Sequence, residues 1–166
     1  RVAMEPDAEE AALMARRGVN VLRPAAPGFI SFSGNVTLAR RQGARREWQQ
    51  LSIRRQAMMT AGTIAHSTRW AAVQKPEAET WRAVTAQVAR YLTESAAAGF
   101  LVGDAGHRAF YVKCDQDTNA HRPGLSFIVG LALRRPGEFV AFRFDHDTAD
   151  CRVTELAWQP GLGLTG

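Results

Sequence analysis

Apolar residues along the chain change period twice. From Ser52 to Val73, Ile53, Ala57, Met58, Ala61, Ile64, Ala65 and Ala72 fall on one side of a helical projection, which predicts an amphipathic helix. A second helix is predicted from Pro76 to Gly99. Trp81, Val84, Val88, Tyr91, Leu92 and Ala96 repeat there at steps of three and four, with Pro76 at its start, Glu77 and Glu79 in its first turn and Gly99 as its stop. At a rise of about 1.5 Å per residue each helix would be about 30 Å long. One apolar stripe apiece suits packing on a sheet.

Downstream the period drops to two. Arg108 to Asp115 reads as a strand with Phe110 and Val112 on one side. Leu125 to Leu133 is continuously apolar, as a strand covered on both faces would be. Arg135-Pro136-Gly137 makes a turn. Glu138 to Phe144 then puts Phe139, Ala141 and Arg143 on one face and Val140, Phe142 and Phe144 on the other. Asp145 to Asp150 reads as a polar turn, and Arg152 to Trp158 alternates again; Gln159 to Gly166 carries no regular pattern.

Upstream, Glu5 to Arg17 reads as a helix, acidic early, basic late and closed by Gly18. Short strands follow at Val19 to Leu22 and Phe29 to Phe32, then an arginine-rich loop from Leu38 to Arg46. Strands, two helices and strands again give an α+β fold, with the two long helices packed against a mixed sheet.

Composition narrows the class. The 166 residues fit one domain, and 46% hydrophobic residues can fill a sizeable core. The longest apolar run, Phe127 to Leu133, is far short of the ~20 residues of a membrane helix. The chain opens at Arg1 rather than a methionine, as a segment of a longer protein would. A net charge of +5 rests mostly on arginine, paired at Arg16-Arg17, Arg40-Arg41, Arg45-Arg46, Arg54-Arg55 and Arg134-Arg135. Such pairs suit an acidic partner surface or nucleic acid, and equally a solvated face. No aromatics interleave with them as a single-strand stacking platform requires.

Candidate chemistry concentrates in Phe110 to Gly124, where Cys114, Asp115, Asp117 and His121 are all potential ligands. No recognised metal spacing joins them. Asp115, Thr118 and Asn119 have a simpler use at a strand end, bonding nearby backbone amides to hold a turn. Cys114 with His107 or His121 offers a nucleophile and base but no orienting third group. The two cysteines, Cys114 and Cys151, read as free buried thiols. Asp145 to Asp150 resembles part of a calcium loop but lacks its glycine and terminal glutamate. No phosphate-binding glycine loop, nucleophile elbow or zinc-protease motif is present, and His66 has no histidine or glutamate at helical spacing.

Motif order carries more than any single motif. Gly18-Val19-Asn20-Val21 follows a helix, and Gly34-Asn35-Val36-Thr37-Leu38 follows a strand. Ser52-Ile53-Arg54-Arg55 opens the first long helix, Thr68-Arg69-Trp70-Ala71 lies near its end, and Trp81 sits early in the second. Phe110-Tyr111-Val112-Lys113-Cys114-Asp115 with Thr118-Asn119, and Arg135-Pro136-Gly137-Glu138-Phe139-Val140-Ala141-Phe142-Arg143, complete the series. In this order, over about residues 10 to 144, the sequence resembles the C-terminal domain of contractile tail sheath proteins, as found in phages and pyocin-like injection systems. It departs at Gln74-Lys75-Pro76-Glu77, where the family has Glu-Pro-Asn, and at Val36, where it often has arginine.

The resemblance implies a structural subunit and no enzyme or cofactor. Such a subunit polymerises as a helical sleeve, in hexameric rings, around an inner tail tube and contracts to drive the tube through a target envelope. The implied partners are further copies of itself, the tube protein, and baseplate and terminator proteins, with no membrane and no direct nucleic-acid contact. The implied location is a virion tail or extracellular contractile particle assembled in the bacterial cytoplasm. On this reading 1–17 is a lead-in helix or linker, 18–144 the sheath-like domain and 145–166 a C-terminal hairpin or arm. Strand exchange between subunits would use Phe139, Val140, Phe142, Phe144, Val153, Leu156 and Trp158. Arg54, Arg55, Arg82 and Arg90 would face the tube. The alternatives are a basic nucleic-acid-binding or metal-dependent nuclease domain, and a non-contracting sheath-like cap or initiator.

Overall fold

A computed structural model describes residues 6–39, 46–103, 108–120 and 124–156. The class is α+β, built of two antiparallel sheets and four α-helices among the described residues. The chain divides into two compact units, Arg1–Gln56 and Ala57–Gly166.

The first unit holds α1 (Ala8–Arg16) and a hairpin of β1 (Val21–Ala26) and β2 (Phe29–Ser33). Helix α1 starts where Asp7 and Glu10 cap each other: the Asp7 carboxylate accepts from Glu10 N at 2.8 Å and Asp7 N donates to the Glu10 carboxylate at 3.0 Å. The hairpin runs past the predicted Val19 to Leu22 strand and includes Pro24, which a two-stranded ribbon tolerates at an edge. A 3-10 turn, Arg46–Gln49, begins where the predicted loop from Leu38 to Arg46 ends; residues 40–45 of that loop lie outside the described residues.

Side chains from three sequence motifs lock this unit together. Asn20 takes both polar groups of Val36, donating to its carbonyl at 2.8 Å and accepting from its amide at 3.0 Å. Asn35 does the same for the start of α2 (Leu51–Ser67), accepting from Ser52 N and donating to Ser52 Oγ, both at 2.8 Å. The Thr37 hydroxyl donates to the Trp48 carbonyl. Val21, Val36, Trp48 and Ile53 are buried.

The second unit is built on a four-stranded sheet of order β3-β4-β5-β6: Phe110–Lys113, Leu125–Ala132, Phe139–His146 and Cys151–Leu156. All its pairings are antiparallel, so the sheet is not the mixed one expected from the sequence. Short connections join β4 to β5 and β5 to β6, and only a long crossover would permit parallel pairing. Strand β4 is buried along its whole length, in keeping with an apolar run broken only by Ser126. Phe127, Val129 and Leu131 face the core opposite Phe144, Phe142 and Val140, and the Phe127 and Phe144 rings stack at 4.8 Å.

Helix α2 ends at Ser67 and gives way to a 3-10 turn, Arg69–Val73, so the predicted helix to Val73 is shorter than its pattern suggested. Its core stripe in this unit is Ala57, Thr60, Ala61, Ile64 and Thr68. Met58, assigned to that stripe from sequence, is exposed: it lies about 100° around the helix from Ala57. Helix α3 (Ala78–Ala97) buries Val84, Val88 and Leu92 and starts two residues after Pro76. It closes at Gly99, whose φ of 80° is the left-handed cap that glycine adopts without strain. A one-turn helix, α4 (Gln116–Asn119), stands between β3 and β4.

Candidate functional site

The loop after β3 is a hydrogen-bonded brace. Asp115 caps α4: its carboxylate accepts from Thr118 N at 2.9 Å, and Asp115 N donates to Thr118 Oγ1 at 3.0 Å. Asn119 reaches across to β4, accepting from Ser126 N at 2.7 Å and donating to the Ser126 carbonyl at 2.9 Å and to the Asp115 carbonyl at 2.8 Å. The buried Ser126 hydroxyl donates in turn to Asp145 at 2.7 Å. Asp115, Thr118 and Asn119 therefore tie the exit of β3 to β4 and, through Ser126, to β5. Lys113 stands 3.6 Å from Asp115 and 3.7 Å from Asp117.

Among the described residues no three His, Cys, Asp or Glu side chains are grouped as a metal requires. His121 and His107 lie outside the described residues. The Cys114 thiol lies against the Ser126 carbonyl at 3.9 Å, and burial pushes it up to about 11.

One cysteine–histidine contact does form, and the sequence reading missed it. Cys151 Sγ lies 3.5 Å from Nε2 of His146. His146 ends the series Val140, Phe142, Phe144, His146 at steps of two, so the alternation of β5 carries it to the core face, 2% exposed. It was assigned to a polar turn because of its neighbours; the turn itself is Asp147 to Asp150, closed by Asp147 Oδ1 accepting from Ala149 N and Asp150 N at 2.8 and 2.7 Å.

The pair does not make a nucleophile and base. Burial first, then Asp150 and Asp145, push the Cys151 thiol up to about 11. His146 Nδ1, which an orienting carboxylate would engage, has no hydrogen-bond partner among the described residues. Nε2 is already engaged, 2.8 Å from Thr68 Oγ1.

The exchange residues divide between two strands. Val140, Phe142 and Phe144 are core residues of β5, and Phe139 packs edge-on to Tyr111 at 5.1 Å. Strand β5 is hydrogen-bonded on both sides, whereas β6, carrying Val153 and Leu156, is one of the two edges of the sheet among the described residues, β3 being the other. Trp158 lies outside the described residues. Of the arginines, Arg54 stacks over the Trp48 ring at 4.5 Å, and Arg55 is exposed in the same unit. Arg82 and Arg90 are exposed on α3, with Arg82 Nε donating to the Ala78 carbonyl at 3.2 Å.

A second surface was not anticipated. Register pairs Leu22 with Phe32 and Pro24 with Ile30 on one face of the β1–β2 hairpin. Leu22, Ile30 and Phe32 are 53%, 63% and 56% exposed. From the same strand, Arg23 donates to the carbonyls of Pro6 and Asp7 at 3.1 and 2.8 Å. The signal was present as Phe29-Ile30-Ser31-Phe32, but an apolar strand alone does not tell buried from uncovered.

No family model matches the chain, and no curated protein matches it. Among solved structures it is similar to a chain in the cryo-EM structure of the anti-feeding prophage baseplate, 6-fold symmetrised, with a TM-score of 0.66 and 21% identity. That likeness covers 83% of this chain but 39% of the other, so the present chain spans well under half of the length it matches. What the two share at this level of identity is the fold.

Proposed function

We propose that the protein is a structural subunit of a contractile particle, a sheath-type building block that assembles around an inner tube and does no catalysis. Two observations support this reading: the fold shared with a baseplate chain over 83% of the sequence, and the ordered sheath-like motifs of residues 10 to 144. The motif residues support it. Asn20, Asn35, Thr37, Thr68, Thr118 and Asn119 all make the hydrogen bonds that pin one element to the next.

The surfaces fit a part that works in a lattice. An exposed row of Leu22, Ile30 and Phe32 is the kind of apolar patch that assembly covers. Strand β6 offers an edge unpaired among the described residues for a neighbour's strand, with Val153 and Leu156 on opposite faces. Exchange through β6 leaves the core strand β5 untouched. Exposed arginines such as Arg55, Arg82 and Arg90 give weak, salt-sensitive attraction to an acidic tube, about 0 to 1 kcal/mol each, which suits attachment that must be released.

A second reading places the subunit at the particle's end, as a cap or initiator of the same fold that does not contract. The baseplate setting of the similar chain favours it. Electron microscopy of the full-length protein with its tube separates the two: sleeves along the tube support a sheath, and single discs at one end support the cap. Particles of neither kind, at any salt concentration, would overturn both. Deletion after Asp150 removes β6 and should abolish assembly; intact assembly would exclude β6 from the interface.

A further inference from the structure

The second unit holds one buried ionisable group with a lopsided set of partners. His146 is enclosed by Thr68 at the end of α2, the Phe127 ring stacked 5.9 Å away on β4, and Cys151 on β6. Thr68 is itself fully buried, and its hydroxyl lies 2.7 Å from the Ile64 carbonyl as well as 2.8 Å from His146 Nε2. A hydroxyl has one proton. Given to the Ile64 carbonyl, it leaves the oxygen free to accept from Nε2–H, and both short contacts are satisfied. Given to His146, it sets two acceptor oxygens against each other at 2.7 Å. The geometry therefore assigns the Nε2–H tautomer, with a bare Nδ1 that has no partner among the described residues.

We propose that His146 is an acid-sensitive latch: neutral, it holds the end of α2 and the following 3-10 turn on β5 through Nε2–H on Thr68, and protonation at Nδ1 puts a charge in the core that opening of this contact relieves. A second proton must sit on Nδ1, where no acceptor among the described residues meets it, and its charge is buried beside the Phe127 ring. The charged groups around it do not cancel this. Arg69 on the 3-10 turn repels a cation, while Asp145 beside it on β5 and Asp147 at the turn attract one. Burial is the largest influence, and the balance lowers the histidine below its ordinary 6.5.

The consequence has a definite sign. The unfolded chain takes up the proton at a higher pH than the folded one, so folding is fully supported above about pH 6.5 and weakens as pH falls from there towards the lower folded value. At most one proton is linked, so the folding constant falls by up to about tenfold per pH unit in that window. Local opening comes first where the latch acts, at the Thr68 and Ala71 amides that bond back to Ile64 and Thr68. The device belongs to this fold and does not depend on the particle it serves.

The test compares the wild-type chain with His146→Gln, whose amide nitrogen takes the place of Nε2–H but cannot titrate. Urea unfolding between pH 7.5 and 5.0 should show a loss of stability in the wild type that the variant lacks. Equal losses in both would overturn the proposal. Imidazole nitrogen shifts of the wild type provide an independent readout should the variant not fold. They should report the Nε2–H form at pH 7.5 and a midpoint below about 6.5. The Nδ1–H form, or a midpoint at or above that value, would overturn it. Hydrogen exchange at pH 5.5 should rise at Thr68 and Ala71 before the amides of β4; simultaneous loss would mean global unfolding without a latch.

Discussion

Tyr111 lies flat over Gly130, its partner across the β3–β4 ladder, so closely that a Cβ on Gly130 would fall 1.9 Å from Tyr111 Cε1. The ring also meets Phe139 edge-on at 5.1 Å. Gly130→Ala must displace that ring, an overpacking cost of about 1–3 kcal/mol. In a Tyr111→Ala background the same substitution should cost at least about 1 kcal/mol less. Chemical denaturation of the four proteins closes the cycle; additive losses would show that ring and glycine are not coupled.

The same residues show what was legible in the sequence. Leu125 to Leu133 announced a strand buried on both faces because nothing polar but Ser126 interrupts it, and Ser126 is satisfied by Asn119 and Asp145. The α+β class followed from the change of period. Antiparallel pairing was also open to reading, because the short turns at 135–137 and 145–150 leave no room for a parallel crossover. Met58 was misplaced because a flexible apolar side chain beside Ala57 fits a stripe as well as its edge. His146 was hidden by acidic neighbours, although the alternation of β5 reaches it without a break. The Asn20–Val36 and Asn35–Ser52 pairs join residues 16 and 17 apart, beyond any local pattern.

Asn119 stands in for a strand at the start of β4, engaging both polar groups of Ser126. Asn119→Ala leaves a backbone donor and acceptor of a buried residue unmet, at about 1–3 kcal/mol for the uncompensated groups. Asn119→Asp keeps the acceptor but turns a donor into a carboxylate oxygen facing two carbonyls, and should be at least as harmful. Denaturation midpoints at pH 7.5 check both; a neutral Asp variant would show that the amide donors carry no weight.

Thr68→Val removes the hydroxyl between Ile64 and His146 while keeping the side chain's shape. The imidazole donor then loses its partner inside the core, and the loss should be about 1–3 kcal/mol. Thr68→Ser keeps the hydroxyl and should lose less. If Val and Ser variants were equally stable, the Thr68–His146 bond would contribute nothing net.

Both thiols should be sluggish in the folded chain. Held near 11 against an ordinary 9.0, Cys114 and Cys151 present on the order of a hundredfold less thiolate near neutral pH. Iodoacetamide at pH 7.5 should therefore label the native protein at least tenfold more slowly than the urea-unfolded one, Cys151 included. The contact with His146 does not help, because Nε2 carries the proton that a base would need to accept. Rapid labelling of Cys151 alone, lost in His146→Gln, would instead reveal an activated thiol.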